Sequence, residues 1–428
     1  MKKVSFLFCV IFVFTACPQK ESLGDNTDYP VIDVVNNIGD YKIVYCSDYF
    51  SSIEYIPLET TDNSFIAQEP FIITTNDSLI FISSVTRGGK IPVDRNLLVF
   101  NHSGKFLNQI GKYGNGPGEY PNFDKYFLSH EKPVVCIYDF FSRKIFEYEF
   151  NGKFICSIPT PSTMDGNWIE PHSYFGDSLF LGSLAKYDKY GYYYLLFDRN
   201  GEIVKSFPTT LFCDISDNNR GLHFPPFKID ERLYLKDDIN DTIYSLESMN
   251  LQPAFVFNLG KYSHPLQKEN KEDSKKIIPH ANDAESMLFQ QIVGTHSHLF
   301  YNVLFQLRSP SPKVAKPRMV FGFEIEDKTV FGIYDIAANT NILLDTDQHH
   351  QKGIVNDIDG GLPFFPRYYI GNDVVLDIWE AEDMLEFLTE EYFSSKPIKD
   401  RQAHQKLKEV LKNLKYDDNP VAVIAKLK

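Results

Sequence analysis

NDIDGGLPFFPRYY, spanning 356–369, is the densest run of carboxylates and aromatic rings in the chain. Asp357 and Asp359 alternate as cation ligands can. The run lacks the spaced oxygens and distal glutamate of a calcium loop, so an Asp-Gly turn is the expected structure and no metal is assigned. At a channel mouth the same residues would form a binding surface. Asp357, Asp359 and Arg367 would hydrogen-bond a polar ligand, and Phe364, Phe365 and Tyr368 would offer flat surfaces for a sugar ring. His296 and His298 in THSHLF also alternate, which on a strand puts both rings on one side. Two histidines leave a zinc site incomplete, and His349 with His350 fall in a loop. LHFPPF, 222–227, reads as packing between structural units. GKYGNGPGEYPNF, 111–123, is glycine-rich but has no GxxxxGK followed by Ser or Thr, so it is no phosphate loop. The chain contains no GxSxG, HExxH or sialidase Asp-box. No catalytic residue and no cofactor are assigned.

Short aromatic runs bounded by Gly, Asn, Asp and Pro carry these residues, which is strand composition punctuated by turns. Three segments repeat one pattern: LLVFNHSGKFLNQI from Leu97, IFEYEFNGKFICSI from Ile145 and YLLFDRNGEIVKSF from Tyr194. Their turn glycines, Gly104, Gly152 and Gly201, are 48 and 49 residues apart. Degenerate copies place Asn250 and Asn339 at the turn. Strand units recurring at this interval indicate a β-propeller, whose blades shield one another around a channel. A pair of β-sandwiches is the rival, but it gives no reason for equal glycine spacing. Six blades are expected, with seven as the alternative, and GKYGNGPGEYPNF becomes a blade-to-blade crossing.

An open ring would expose sheet edges. Ile53–Leu58 is therefore expected to supply the outermost strand of the last blade, with Pro57 tolerated at the edge. IWEAEDMLEFLTEEYF places Ala381, Leu385 and Leu388 at helical spacing. DRQAHQKLKEVLKNLK does the same for Ala403, Leu407, Val410, Leu411 and Leu414. These predict a helical insertion at about 378–415 in the final blade. QKENKEDSKK from Gln267 is expected as an exposed helical excursion.

Residues 1–16 combine Lys2, Lys3, an apolar run from Val4 to Phe14 and the small pair Thr15-Ala16 before Cys17. The run is too short to span a bilayer and reads as a signal peptide. It resembles a bacterial lipobox, with Phe14 where Leu is usual, and implies acylation of Cys17. Residues 17–29 form a polar tether, and Lys20-Glu21 is similar to a surface-export signal. Removing 1–16 takes the net charge from −14 to −16. This acidity argues against nucleic acid, which requires clustered Lys and Arg. Cys46, Cys136, Cys156 and Cys213 form neither a metal set nor a disulfide framework and read as free thiols.

EYIPLETT from Glu54, GNGPGEY from Gly114, NDIDGGLPFFP from Asn356 and DDNPVAVIAKLK from Asp417 together resemble the six-bladed β-propeller lipoproteins of Bacteroidetes. GNGPGEY is also similar to the inter-blade loop of NHL-type propellers. The resemblance covers roughly residues 30–428 and implies fold and compartment, with no catalytic residues. The expected protein is an all-β six-bladed propeller, anchored in the outer membrane by lipid, that binds a glycan, peptide or protein partner. The alternatives are a propeller lyase or hydrolase acting on polysaccharide, and a scaffold subunit of an envelope complex.

Overall fold

The computed structural model describes residues 29–428 apart from 67–70, 76–78, 89–90, 130–131, 163–167, 185–191, 209–225, 230–231, 237–240, 264–285, 309–317, 321–322, 345–352 and 372. The signal peptide, Cys17, Cys213, Leu222–Pro225, the Gln267 excursion, His349 and His350 lie outside the described residues.

The chain enters along the rim as β1 (Val31–Asp33), β2 (Tyr41–Lys42), a short helix α1 (Cys46–Tyr49) and β3 (Phe50–Pro57). Six sheets follow around the ring. Blade 1 is β4 (Phe71–Thr75), β5 (Leu79–Gly88), β6 (Ile91–Asn101) and β7 (Phe106–Ile110). Blade 2 is β8 (Lys125–Leu128), β9 (Val134–Asp139), β10 (Lys144–Glu149) and β11 (Phe154–Pro159). Blade 3 is β12 (Ile169–Phe175), β13 (Leu179–Leu184), β14 (Tyr192–Phe197) and β15 (Ile203–Pro208). Blade 4 is β16 (Phe227–Ile229), β17 (Arg232–Leu235), β18 (Thr242–Glu247) and β19 (Asn250–Asn258). Blade 5 is β20 (Ser286–Gly294), β21 (His298–Arg308), β23 (Phe323–Asp335) and β24 (Thr340–Leu344), with β22 (Arg318–Val320) paired to β23. Blade 6 joins β25 (Tyr368–Gly371), β26 (Val374–Trp379) and β27 (Val421–Leu427) to β3.

The expected closure is present: β3 pairs antiparallel with β27 from Val421↔Pro57 to Leu427↔Phe50. The rest of the N-terminal segment does more than sequence reading anticipated. β1 adds in parallel to the outer strand of blade 4, and β2 adds in parallel to that of blade 5. One continuous strap thus covers or supplies the outer edges of blades 4, 5 and 6.

Apolar side chains fill the seams between blades. On β26, Val375 enters the seam with blade 5, while Leu376 and Ile378 enter the seam with blade 1. On β9, Cys136 and Tyr138 face blade 3, and Val135 and Ile137 face blade 1. A strand buried on both faces has no polar side to alternate, hence runs such as VVCIYD.

The repeated glycines sit at the hairpins between third and fourth strands, with φ of +80°, +87° and +79° at Gly104, Gly152 and Gly201. Each also abuts the end of the preceding blade's outer strand. A Cβ on Gly152 would lie 2.7 Å from the Gln109 carbonyl oxygen, and one on Gly201 3.0 Å from that of Pro159; Gly104 meets Pro57 in the same way. The period seen in the sequence is an inter-blade contact. Asn339 takes φ +52° at its turn, whereas in blade 4 the positive φ falls on Ser248 and Met249 instead of Asn250.

Between β26 and β27 the chain inserts α2 (Ala381–Phe387), α3 (Glu390–Ser394) and α4 (Arg401–Asn413). Asp400 caps α4 by accepting from the Gln402 and Ala403 amides, and Thr389 caps α3. Met384, Leu388, Phe393, Leu407 and Leu414 pack together with Leu362. Because successive strands alternate in direction, blade-to-blade crossings and loops between second and third strands share one end of the ring, called here the loop face. The insertion belongs to that face.

At the seam between blades 2 and 3, Cys136, Glu147 and Cys156 stand side by side on β9, β10 and β11. Glu147 is 2% exposed. Arg199, from the hairpin turn of blade 3, grips it through both nitrogens, at 2.8 and 2.5 Å, and Tyr174 and Cys156 donate to it as well. Burial works to raise the Glu147 pKa, and these donors outweigh it, leaving the carboxyl below its ordinary value. Cys46, Cys136 and Cys156 are free thiols, each pushed up first by burial and so poorly nucleophilic.

Two stability outcomes follow from these contacts. Gly152→Ala should lower the unfolding free energy by about 2 kcal/mol, read from the urea midpoint; an unchanged midpoint would detach the turn from its neighbouring blade. Arg199→Met should cost about 3 kcal/mol or more, because it strands a buried carboxylate. Arg199→Met combined with Glu147→Gln should recover much of that loss in the same measurement.

Candidate functional site

The run singled out in the sequence is the crossing into blade 6, and most of it faces inward. Asp357, 1% exposed, accepts from the Ser47 amide (2.9 Å) and hydroxyl (2.6 Å) and pairs with Lys399 at 2.7 Å. Burial opposes its ionisation, but Lys399 and Ser47 together hold its pKa below the ordinary value. Asp359 is fully buried and accepts from Asn356 Nδ2 (2.7 Å), the Gly361 amide (2.8 Å) and the Tyr55 hydroxyl (3.2 Å). Its Oδ2 has no partner among the described residues, and burial pushes its pKa up to about 6. His404 of α4 contacts the Asp359 carbonyl at 2.7 Å.

Phe364 and Phe365, expected as surfaces for a ligand, are 1% and 5% exposed. Their rings pack edge-on against Phe50 and Phe331, with centroids 5.2 and 4.8 Å apart. They are core of the seam between blades 5 and 6, because ring closure gives them a larger apolar partner than solvent or ligand could. Tyr368 packs partly buried against the seam with blade 1. Of the six residues, Arg367 alone presents a substantially exposed side chain, at 46%.

Arg367 precedes the inner strand β25 and forms an ion pair with Asp377, Nε lying 3.1 Å from Oδ1. Burial raises Asp377 to about 6, against the pull of Arg367 and the Ile378 amide. Nearby Glu380 is also raised, by burial and then by Asp383, again opposed by Arg367. On the neighbouring blade, Gln291 Nε2 donates to the Pro366 carbonyl (3.0 Å) and Asn302 Nδ2 donates to Gln291 Oε1 (3.2 Å). Because a carbonyl can only accept, Pro366 fixes the sense of this relay. It ends on Asn302 Oδ1, an acceptor with no donor among the described residues. Sequence reading found Arg367 but missed Asp377, Glu380, Gln291 and Asn302, since lone polar residues inside apolar strands carry no spacing signal.

Three blades away, between the inner strands of blades 2 and 3, Lys125 pairs with Glu170 at 2.8 Å. His172, beside Glu170, is the extra residue of a bulge between Pro171 and Ser173 and contacts Ser183 Oγ at 2.8 Å. Polar groups therefore mark the inner edge of the ring at two opposite seams. His296 and His298 do not share a strand face. His296 lies in the turn before β21 and meets Asp373 at 2.8 Å, while His298 lies 3.9 Å from Asp335. No group of three or more metal-binding side chains occurs among the described residues.

The fold defines the class: a six-bladed β-propeller. Residues 29–426 match the family described as Domain of unknown function (DUF4934), and the chain belongs to that family. It is similar in structure to an exported protein of Bacteroides fragilis, so described, at 18% identity and a TM-score of 0.62, covering 94% of this chain and 99% of that one. A DUF4221 family member from Bacteroides vulgatus matches at 11% identity and a TM-score of 0.49, covering 89% and 97%. The first likeness shows the fold. No match was found among curated proteins.

Asp359 and Asp377 bind protons more tightly folded than unfolded. Their contribution to stability is full below pH about 4 and is lost as pH rises through about 6. The depressed carboxyls Asp357 and Glu147 act oppositely, but below that window, and His298, held by burial below its ordinary value, opposes the two aspartates in part within it. The unfolding free energy, read from the urea midpoint, should fall between pH 5 and pH 7 by on the order of 2 kcal/mol. Asp377→Asn should flatten that slope, and an unaltered slope would contradict the assignment.

Proposed function

We propose that this protein is a lipid-anchored binding module of the cell envelope, taking a polar ligand at its loop face without transforming it. The observation that carries this reading is Arg367, half-exposed at the inner edge, whose one ion pair among the described residues is made through Nε. Around it Asp377 and Glu380 outnumber its single positive charge, and the Gln291 and Asn302 amides are already oriented, which is a fixed array of donors and acceptors. Such an array suits a neutral ligand with many hydroxyl or amide groups better than an anion, and its rigidity lowers the ordering cost of binding. The envelope assignment draws on the Met1–Cys17 pattern and on the description of the Bacteroides fragilis relative as exported.

A second reading has one observation in its favour. Asp377 and Glu380 hold their protons to higher pH beside Arg367, as the acid of a polysaccharide lyase or hydrolase would. The Ser183 and His172 pair does not add to it, because Ser183 is fully buried.

Detergent-solubilised full chain, screened against glycan and peptide panels for both binding and product release, separates the two. Retention without turnover is expected, with Arg367→Ala weakening it roughly 10-fold. Turnover abolished by Asp377→Asn would replace the binding reading with the enzymatic one. Mass analysis of the mature amino terminus should find acyl chains on Cys17, and an unmodified terminus would remove the anchor.

A further inference from the structure

Among the described residues, exposed apolar side chains lie on outer strands, on the loop face and, as Ile43 and Tyr45, on the N-terminal strap. The exposed residues on outer strands are aliphatic: Leu107 on β7, Ile155 on β11, and Ile203 and Val204 on β15. The exposed aromatic rings gather on the loop face. Tyr416 (64% exposed) closes the insertion of blade 6, and Phe65 (55%) lies in the crossing from blade 6 to blade 1. Tyr113 (57%) lies in the crossing from blade 1 to blade 2, and Phe141 (77%) in the loop between β9 and β10. These positions are consecutive around the ring. A fifth exposed ring, Tyr45, belongs to the N-terminal strap.

Three of the rings stand on loops pinned by hydrogen bonds. The Phe141 amide donates to Asp139 Oδ1 at 2.8 Å. Beside Phe65, the Ile66 amide donates to Asn419 Oδ1 at 2.8 Å. Around Tyr113, Glu119 accepts from the Gly116 amide at 2.9 Å and pairs with Lys112 at 3.0 Å. Exposed rings on such loops, flanked by exposed polar residues such as Asn63, Lys112 and Arg143, do not form the contiguous apolar patch of a protein interface. A sugar ring has the complementary character: an apolar face of C–H groups surrounded by hydroxyls.

We infer that the ligand is an extended oligosaccharide, several residues long, lying across blades 6, 1 and 2 with its sugar faces on Phe65, Tyr113 and Phe141. This rests on the loop face being the binding face and adds chain length and stacking to it. A terminal monosaccharide would reach one ring only, so successive rings select for a polymer segment.

Titration calorimetry of the detergent-solubilised full chain with neutral linear oligosaccharides of one to six residues, together with affinity electrophoresis in neutral polysaccharides, tests the inference. Affinity should climb with length until the arc is spanned. Phe65→Ala, Tyr113→Ala and Phe141→Ala should each weaken the longest ligand roughly 3- to 10-fold at unchanged melting temperature, as expected for exposed stacking rings. Binding that depends on Arg367 but ignores both chain length and the ring variants would overturn the inference and leave the binding reading intact. Peptide binding with no glycan retained would overturn the inference alone. Absence of any ligand would overturn both.

Discussion

A single blade cannot bury itself. Its strands are apolar on both faces, so every sheet depends on a neighbour at each side, and the six seams hold together only if the circle closes. The pairing of β3 with β27 is therefore the contact on which the others rest. Polar groups reinforce it from inside. Asn419 accepts from the Ile66 amide and donates to the Glu59 and Ser64 carbonyls, tying the approach to β27 to the segment after β3. Tyr55 on β3 reaches Asp359 and Asn356 in the crossing between blades 5 and 6. Three stretches far apart in sequence, around Tyr55, Asp359 and Asn419, become one clamp.

The N-terminal strap solves the edge problem unevenly. Blades 4 and 5 receive an added parallel strand, whereas the outer strands of blades 1, 2 and 3 end their sheets. Bulges at Val99/Phe100, Glu147/Tyr148 and Leu196/Phe197 twist the pairs that include these outer strands, and prolines close two of them at Pro159 and Pro208. Both devices discourage pairing with other chains. Between blades, the hairpin turn of one sheet leans on the outer strand of the one before, and glycine is required there for its positive φ and its missing Cβ.

Burial then divides the polar residues by task. Asp357, Asp359 and Glu147 are enclosed, and their partners make them structural. Arg367, Lys125 and Glu170 sit at inner strands that have no sheet neighbour on the channel side, so part of each stays reachable. The DUF4934 match covers nearly the whole of this arrangement, strap and insertion included.

The turn glycines at nearly equal spacing, the short aromatic runs, the edge-tolerant Pro57 and the helical periodicity after Ile378 were enough to reveal blade type, closure and insertion. All are local or periodic signals written directly in residue order. β1 and β2 were not legible, because strands of three and two residues carry no pattern of their own and exist only through the edge they meet. The Asn356–Tyr369 run was found but misjudged: type and spacing could not say which way Phe364, Phe365 and Asp359 would face. Facing is decided by which seam has room for a ring or donors for a carboxylate. Sequence thus determined the repeating unit, and tertiary structure alone decided which of its polar and aromatic side chains remain at the surface, because burial depends on neighbours brought together by ring closure across some 300 residues of chain, as between Tyr55 and Asp359.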